Sequence, residues 1–127
     1  MPADIQWFDD DRSVLEIVYP GDLSTEDADL ARQEVDALLA ASQLDRRIDL
    51  VINLLGVQRL PAGFLNGGDE LSVSSFPTGG STVVITDDPF VRQRMKTTPT
   101  VYANGFVVSS REEAALVIQL YRARASN

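Results

Sequence analysis

Apolar positions along the chain change period several times, and each change marks an element. Ile5, Gln6, Trp7 and Phe8 form a short β-prone run. Asp9, Asp10 and Asp11 then read as a turn, and a second run over 13–19 carries Val14, Leu15, Ile17, Val18 and Tyr19. Two antiparallel strands joined by a tight loop account for this. Glu16 is expected to point away from the apolar side, so that the hairpin buries no carboxylate. Pro20 and Gly21 end the second strand. From Ser24 or Thr25, which can cap a helix, Ala28, Ala31, Val35, Leu38, Leu39 and Ser42 recur at three- and four-residue spacing. They predict a helix over about 25–42, with Glu26, Asp27 and Asp29 near its first turn and Arg32, Gln33 and Asp36 outside.

The run 48–55 is nearly uninterrupted in Leu50, Val51, Ile52, Leu54 and Leu55, as in a strand buried on both faces. Asn53 is read as its one polar interruption. Residues 56–81 are rich in glycine, with a short helix expected from Pro61 to about Val73 and an exposed loop over 72–81. Thr82, Val83, Val84, Ile85 and Thr86 predict another buried strand. Asp88 followed by Pro89 signals a helix to about Lys96 or Thr98, anchored by Phe90, Val91 and Met95. Gly105 opens a last strand at Phe106, Val107 and Val108. Ser109 or Ser110 with Glu112 or Glu113 is a capping-box pattern for a terminal helix whose inner face is Ala114, Val117, Ile118 and Tyr121. The expectation is a single α/β domain over 1–127.

Composition narrows the chemistry. The 127 residues include no cysteine and no histidine, which removes disulfides, thiolate and imidazole metal sites, Cys nucleophiles and the commonest general base. No cofactor and no enzymatic activity are expected. The net charge of −8 is concentrated early, with 12 acids against two bases in residues 1–45. That field opposes nucleic-acid binding, and Arg92, Arg94 and Lys96 read as a solvated helix face. No stretch approaches the apolar length of a membrane span and the start lacks a basic-then-apolar leader, so a cytoplasmic location is expected.

Candidate chemistry is sparse. Asn53 and Gly56 follow one central strand and Asp87 follows another; loops after parallel strands gather at one end of a sheet, where ligands commonly bind. Asn53, Gly56, Leu60, Pro61, Phe64 and Asp87 are therefore the candidate surface, although an Asn closing a turn through its own backbone remains the alternative for Asn53. Gly79, Gly80, Ser81 and Thr82 could form a small anion nest or a flexible loop. Asp87 and Asp88 are a carboxylate pair in which Asp88 already has a capping role. Gly67, Gly68, Asp69, Glu70 and Leu71 are similar to the GG[DE]EF signature of diguanylate cyclases. Leu71 departs from that signature, however, and such a domain is longer than this chain, so these residues read as a glycine-rich turn.

The order of elements resembles the STAS domain of anti-sigma-factor antagonists, and more closely the SpoIIAA-like proteins. The resemblance rests on the opening over 7–19, on residues 21–27 (GDLSTED), on residues 48–54 (IDLVINL), on Leu60, Pro61, Ala62 and Gly63, and on residues 110–114 (SREEA). It implies a mixed sheet of about five strands with helices mainly on one face, and a non-catalytic regulatory role through a protein partner. In the antagonists a Ser or Thr at the start of a helix is phosphorylated. The matching position here falls on Leu60 or Pro61, which have no hydroxyl, and leaves Ser72, Ser74, Ser75 and Ser81 as loop serines without that role. Glu26, Asp29 and Asp36 are expected to steer a basic or mixed partner surface. A homodimer is also expected, with Trp7 and Phe8 as anchors. The alternative function is binding of a small apolar ligand near Leu60, Phe64 and Asn53.

Overall fold

The computed structural model describes residues 3–9, 13–41, 48–59, 79–97 and 105–125. Its elements are β1 (Asp4–Trp7), β2 (Val14–Val18), α1 (Thr25–Ala41), β3 (Ile48–Asn53), β4 (Gly79–Ile85), α2 (Pro89–Thr97), β5 (Gly105–Val108) and α3 (Arg111–Ala125). The five strands form one sheet in the order β1-β2-β3-β4-β5. The β1–β2 pair is antiparallel, with Trp7 opposite Leu15, and every later pair is parallel.

Sequential order with parallel neighbours has a geometric consequence. Crossovers of one hand that advance in one direction must all lie on the same face. Ala28, Ala31 and Val35 of α1 and Val91 of α2 accordingly pack into one cluster with Leu15, Ile17, Leu50, Ile52 and Val84. α3 follows the last strand and crosses nothing, so it is free to return over the opposite face. There Ala114 and Ile118 join Val14, Val51, Val83, Ile85 and Val108. Two of the three described helices thus share a face, and the third closes the other.

Strand alternation divides side chains between these two layers. Even positions of β3 (Ile48, Leu50, Ile52) face α1, whereas Asp49, Val51 and Asn53 share the α3 side. The helix caps act where expected: Asp27 N–H donates to Ser24 Oγ, Phe90 N–H to Asp88 Oδ1 and Glu113 N–H to Ser110 Oγ. Beside β3, Gly21 O accepts from the N–H groups of Gln58 and Arg59, at 2.6 and 3.0 Å. A Cβ on Gly21 would lie 3.3 Å from Gly56 O, so this approach suits glycine.

Four sequence expectations change. Glu16 is fully buried, on the α3 face, because α3 supplies the cation that alternation within the hairpin cannot reveal. Asp49 is a second polar residue inside the β3 run and is also fully buried. Phe90 does not anchor α2: it is 67% exposed, since Val91, one residue and about 100° further round the helix, takes the sheet-facing direction. Ser81 belongs to β4 rather than to an exposed loop and is buried against Asp49. The expected helix from Pro61 and the glycine-acid motif at 67–71 lie outside the described residues.

Candidate functional site

The face beneath α3 carries Glu16, Asp49, Asn53 and Ser81, all buried. At the β2 end Glu16 is clamped by Arg111, whose Nε and Nη2 donate to Oε2 and Oε1 at 3.0 and 2.9 Å. Gln6 Nε2 adds a bond to Oε1 at 2.8 Å, and Asn53 Nδ2 one to Oε2 at 3.1 Å. Four donors therefore converge on one carboxylate, the pattern that makes a buried charge tolerable. Burial pushes the Glu16 carboxyl up, but the bonds from Arg111, Gln6 and Asn53, with the Arg111 charge, outweigh it and hold it below the usual range. Phe8 lies under the same guanidinium, 4.8 Å from ring centroid to Cζ, which fits a cation–π contact.

At the β3 end Arg122 Nε donates to Asp49 Oδ2 at 2.6 Å and Nη2 to the Ser13 carbonyl at 3.0 Å. Ser81 supplies both its N–H and its hydroxyl to Asp49 Oδ1, at 2.7 and 2.9 Å. The glycine-led segment considered as an anion nest thus receives an anion from within the chain. Arg111 and Arg122 stand about three turns apart and so share the sheet-facing side of α3. α3 runs antiparallel to the parallel strands, bringing its first turn to Glu16 and its last turns to Asp49.

Next to the second clamp, a cleft of about 260 Å³ opens between the hairpin and α3, lined by Phe8, Asp9, Val14, Ala115, Ile118, Gln119 and Arg122. Asp9 is engaged at its edge: its carboxylate accepts from the N–H groups of Ser13 and Val14 and from the Ser13 hydroxyl. Burial raises the Asp9 carboxyl, and these bonds together with the charge of Arg122 more than reverse that, so it too is held low.

Of the expected strand-end residues, Asn53, Gly56 and Asp87 are among those described. Asn53 and Ile85 end neighbouring strands, and Leu54 N–H donates to Ile85 O at 2.8 Å, so the approaches to Gly56 and to Asp87 leave the sheet side by side. Asn53 is buried and takes the turn-closing alternative. Its Oδ1 accepts from Leu55 N–H at 3.0 Å, closing the local turn, while its amide supports Glu16. Gly56 and Asp87 are exposed. Leu60, Pro61 and Phe64 lie outside the described residues. Glu26, Asp29 and Asp36 are exposed on the outer face of α1; Asp29 accepts from Gln33, and Asp36 pairs with Arg32 at 3.8 Å. Trp7 and Phe8 are half-buried.

Sequence reasoning missed Glu16, Asp49, Arg111, Arg122 and Ser81 as a group. A signal was available: Asp49 interrupts a run too apolar to leave an acid unpartnered, and Arg111 and Arg122 flank the inner stripe of the terminal helix. Among the described residues no cluster of three potential metal-ligating side chains occurs, and no helix is long and apolar enough to cross a membrane. No protein-family model matches the chain, and no curated protein matches it.

Proposed function

We propose that this chain is a non-catalytic regulatory interaction domain, acting in the bacterial cytoplasm through the outer face of α1 and resembling anti-sigma-factor antagonists without their usual phosphoacceptor. The observation that carries this reading is the composition of that face. Leu30 is 48% exposed, and Glu26, Asp29, Glu34 and Asp36 stand exposed around it. An apolar centre in an acidic surround suits a partner with a basic or mixed rim, in which charge governs encounter and Leu30 contributes affinity. The element order hairpin, helix, strand, strand, helix, strand, helix supports the STAS-like assignment. The two acids buried among the described residues, Glu16 and Asp49, are each committed to an arginine.

The test is affinity capture from the source cell at low salt with the wild-type chain and with an E26K/D29K/D36K variant of unchanged circular dichroism. The reading expects a protein recovered by the wild type and lost by the variant. Equal recovery by both overturns the α1 surface. A second reading, binding of a small apolar ligand, is favoured by the cleft beside Phe8, Val14 and Ile118. Failure to recover a protein partner, with a small molecule retained by the wild type in native mass spectrometry, would replace the first reading by the second.

A further inference from the structure

The outer face of α3 carries a pattern that matches itself when reversed. Glu112, Leu116, Leu120 and Arg124 follow one another at four-residue spacing and are all exposed. Leu116 and Leu120 are 55% and 57% exposed and lie about one turn apart, an apolar pair on the side of α3 away from the sheet. About the midpoint of these residues, Leu116 exchanges with Leu120 and Glu112 with Arg124. Neither Glu112 nor Arg124 has an ion-pair partner among the described residues.

We propose that α3 packs antiparallel against α3 of a second copy of this chain, placing Leu116 on the partner's Leu120 and Glu112 beside the partner's Arg124. A two-fold axis through the middle of the helix makes every contact twice, as an isologous interface requires. Antiparallel packing also sets the acid-bearing first turn, with its positive helix end, against the arginine-bearing last turn and its negative end, whereas a parallel pair would align like charges. Ala123, exposed between the rows, has too small a side chain to hold the helices apart. The alternative route to a dimer, pairing along β1, offers only a four-residue edge.

Arg111 and Arg122 strengthen the case from the other side. Their carboxylate partners fix the roll of α3 on the sheet, so the outward row cannot turn inward to hide its leucines. This inference does not rest on the α1 reading, and it is tested on the purified chain alone.

The experiment is sedimentation equilibrium of the full chain and of three variants, each checked for unchanged circular dichroism. The wild type is expected to approach twice the 13.9 kDa monomer mass. L116D is expected to be monomeric. E112R alone is expected to weaken association about tenfold, since two exposed ion pairs per dimer become like-charge contacts, and E112R/R124E is expected to restore it. A wild-type chain that stays at the monomer mass at high micromolar concentration overturns the proposal. So does a dimer that tolerates L116D, or one in which the double swap is weaker than E112R alone.

Discussion

Arg122 reaches from the last turn of α3 to Asp49 inside β3, with 2.6 Å between guanidinium nitrogen and carboxylate oxygen. Asp49 is fully buried while the Arg122 side chain is 37% exposed. The two partners therefore differ in what they lose when the other is removed. Arg122→Met removes the cation from a buried carboxylate that keeps its two bonds from Ser81, and is expected to cost about 3 kcal/mol. Asp49→Asn leaves a cation that can turn toward water and is expected to cost less. Urea unfolding of both variants and of the double variant checks this. The double is expected to lose less than the sum, as contacting residues do.

Glu16 gives the domain an acid limit. Burial raises its carboxyl and the donors of Arg111, Gln6 and Asn53 lower it further than that, so its folded value lies below the ordinary 4.5. Folding thus favours the ionised form. The resulting stabilisation is fully present above 4.5 and is lost as pH falls through the lowered folded value. Urea midpoints measured from pH 7 to pH 2.5 are expected to fall in that window. Glu16→Gln is expected to flatten the fall without abolishing it, because Asp9 is shifted in the same direction and remains.

Ser81 is expected to behave as a structural hydroxyl. Ser81→Ala removes the 2.9 Å bond to Asp49 and keeps the backbone one, for a loss of about 1 kcal/mol. Ser81→Asp places a second carboxylate against Asp49 in a fully buried position and is expected to cost more than about 4 kcal/mol. Thermal denaturation distinguishes the two outcomes, and a Ser81→Asp protein as stable as Ser81→Ala would refute the close packing of Ser81 on Asp49.

The neighbouring acids Asp87 and Asp88 separate by role. Asp88 Oδ1 accepts from Phe90 and Val91 N–H at the start of α2, so Asp88→Ala is expected to destabilise by about 1 kcal/mol. Asp87 is exposed and Asp87→Ala is expected to stay within about 0.5 kcal/mol of wild type. Chemical denaturation of the pair measures the difference.

Local pattern was enough to place the hairpin, the long helix, the strands at 48–53 and 105–108 and the capped helices at Pro89 and Arg111, because hydrophobic period, proline position and capping chemistry act within a few residues. The same information predicted parallel neighbours after the hairpin, since connections with room for a helix favour them. Whether an acid is inside or outside is a different kind of question. Glu16 and Arg111 lie 95 residues apart, and Asp49 and Arg122 lie 73 apart. In isolation, the hairpin gives Glu16 every reason to face water, and only the return of α3 over that face supplies the cation and the exclusion of solvent together. Phe90 shows the converse: its apolar side chain marked it as an anchor, but one helix face reaches the sheet and Val91 occupies it. Periodicity along the chain determined the elements and their order. Tertiary packing decided which polar groups are buried, because the free energy of a buried charge depends on a partner that only the folded chain brings within bonding distance.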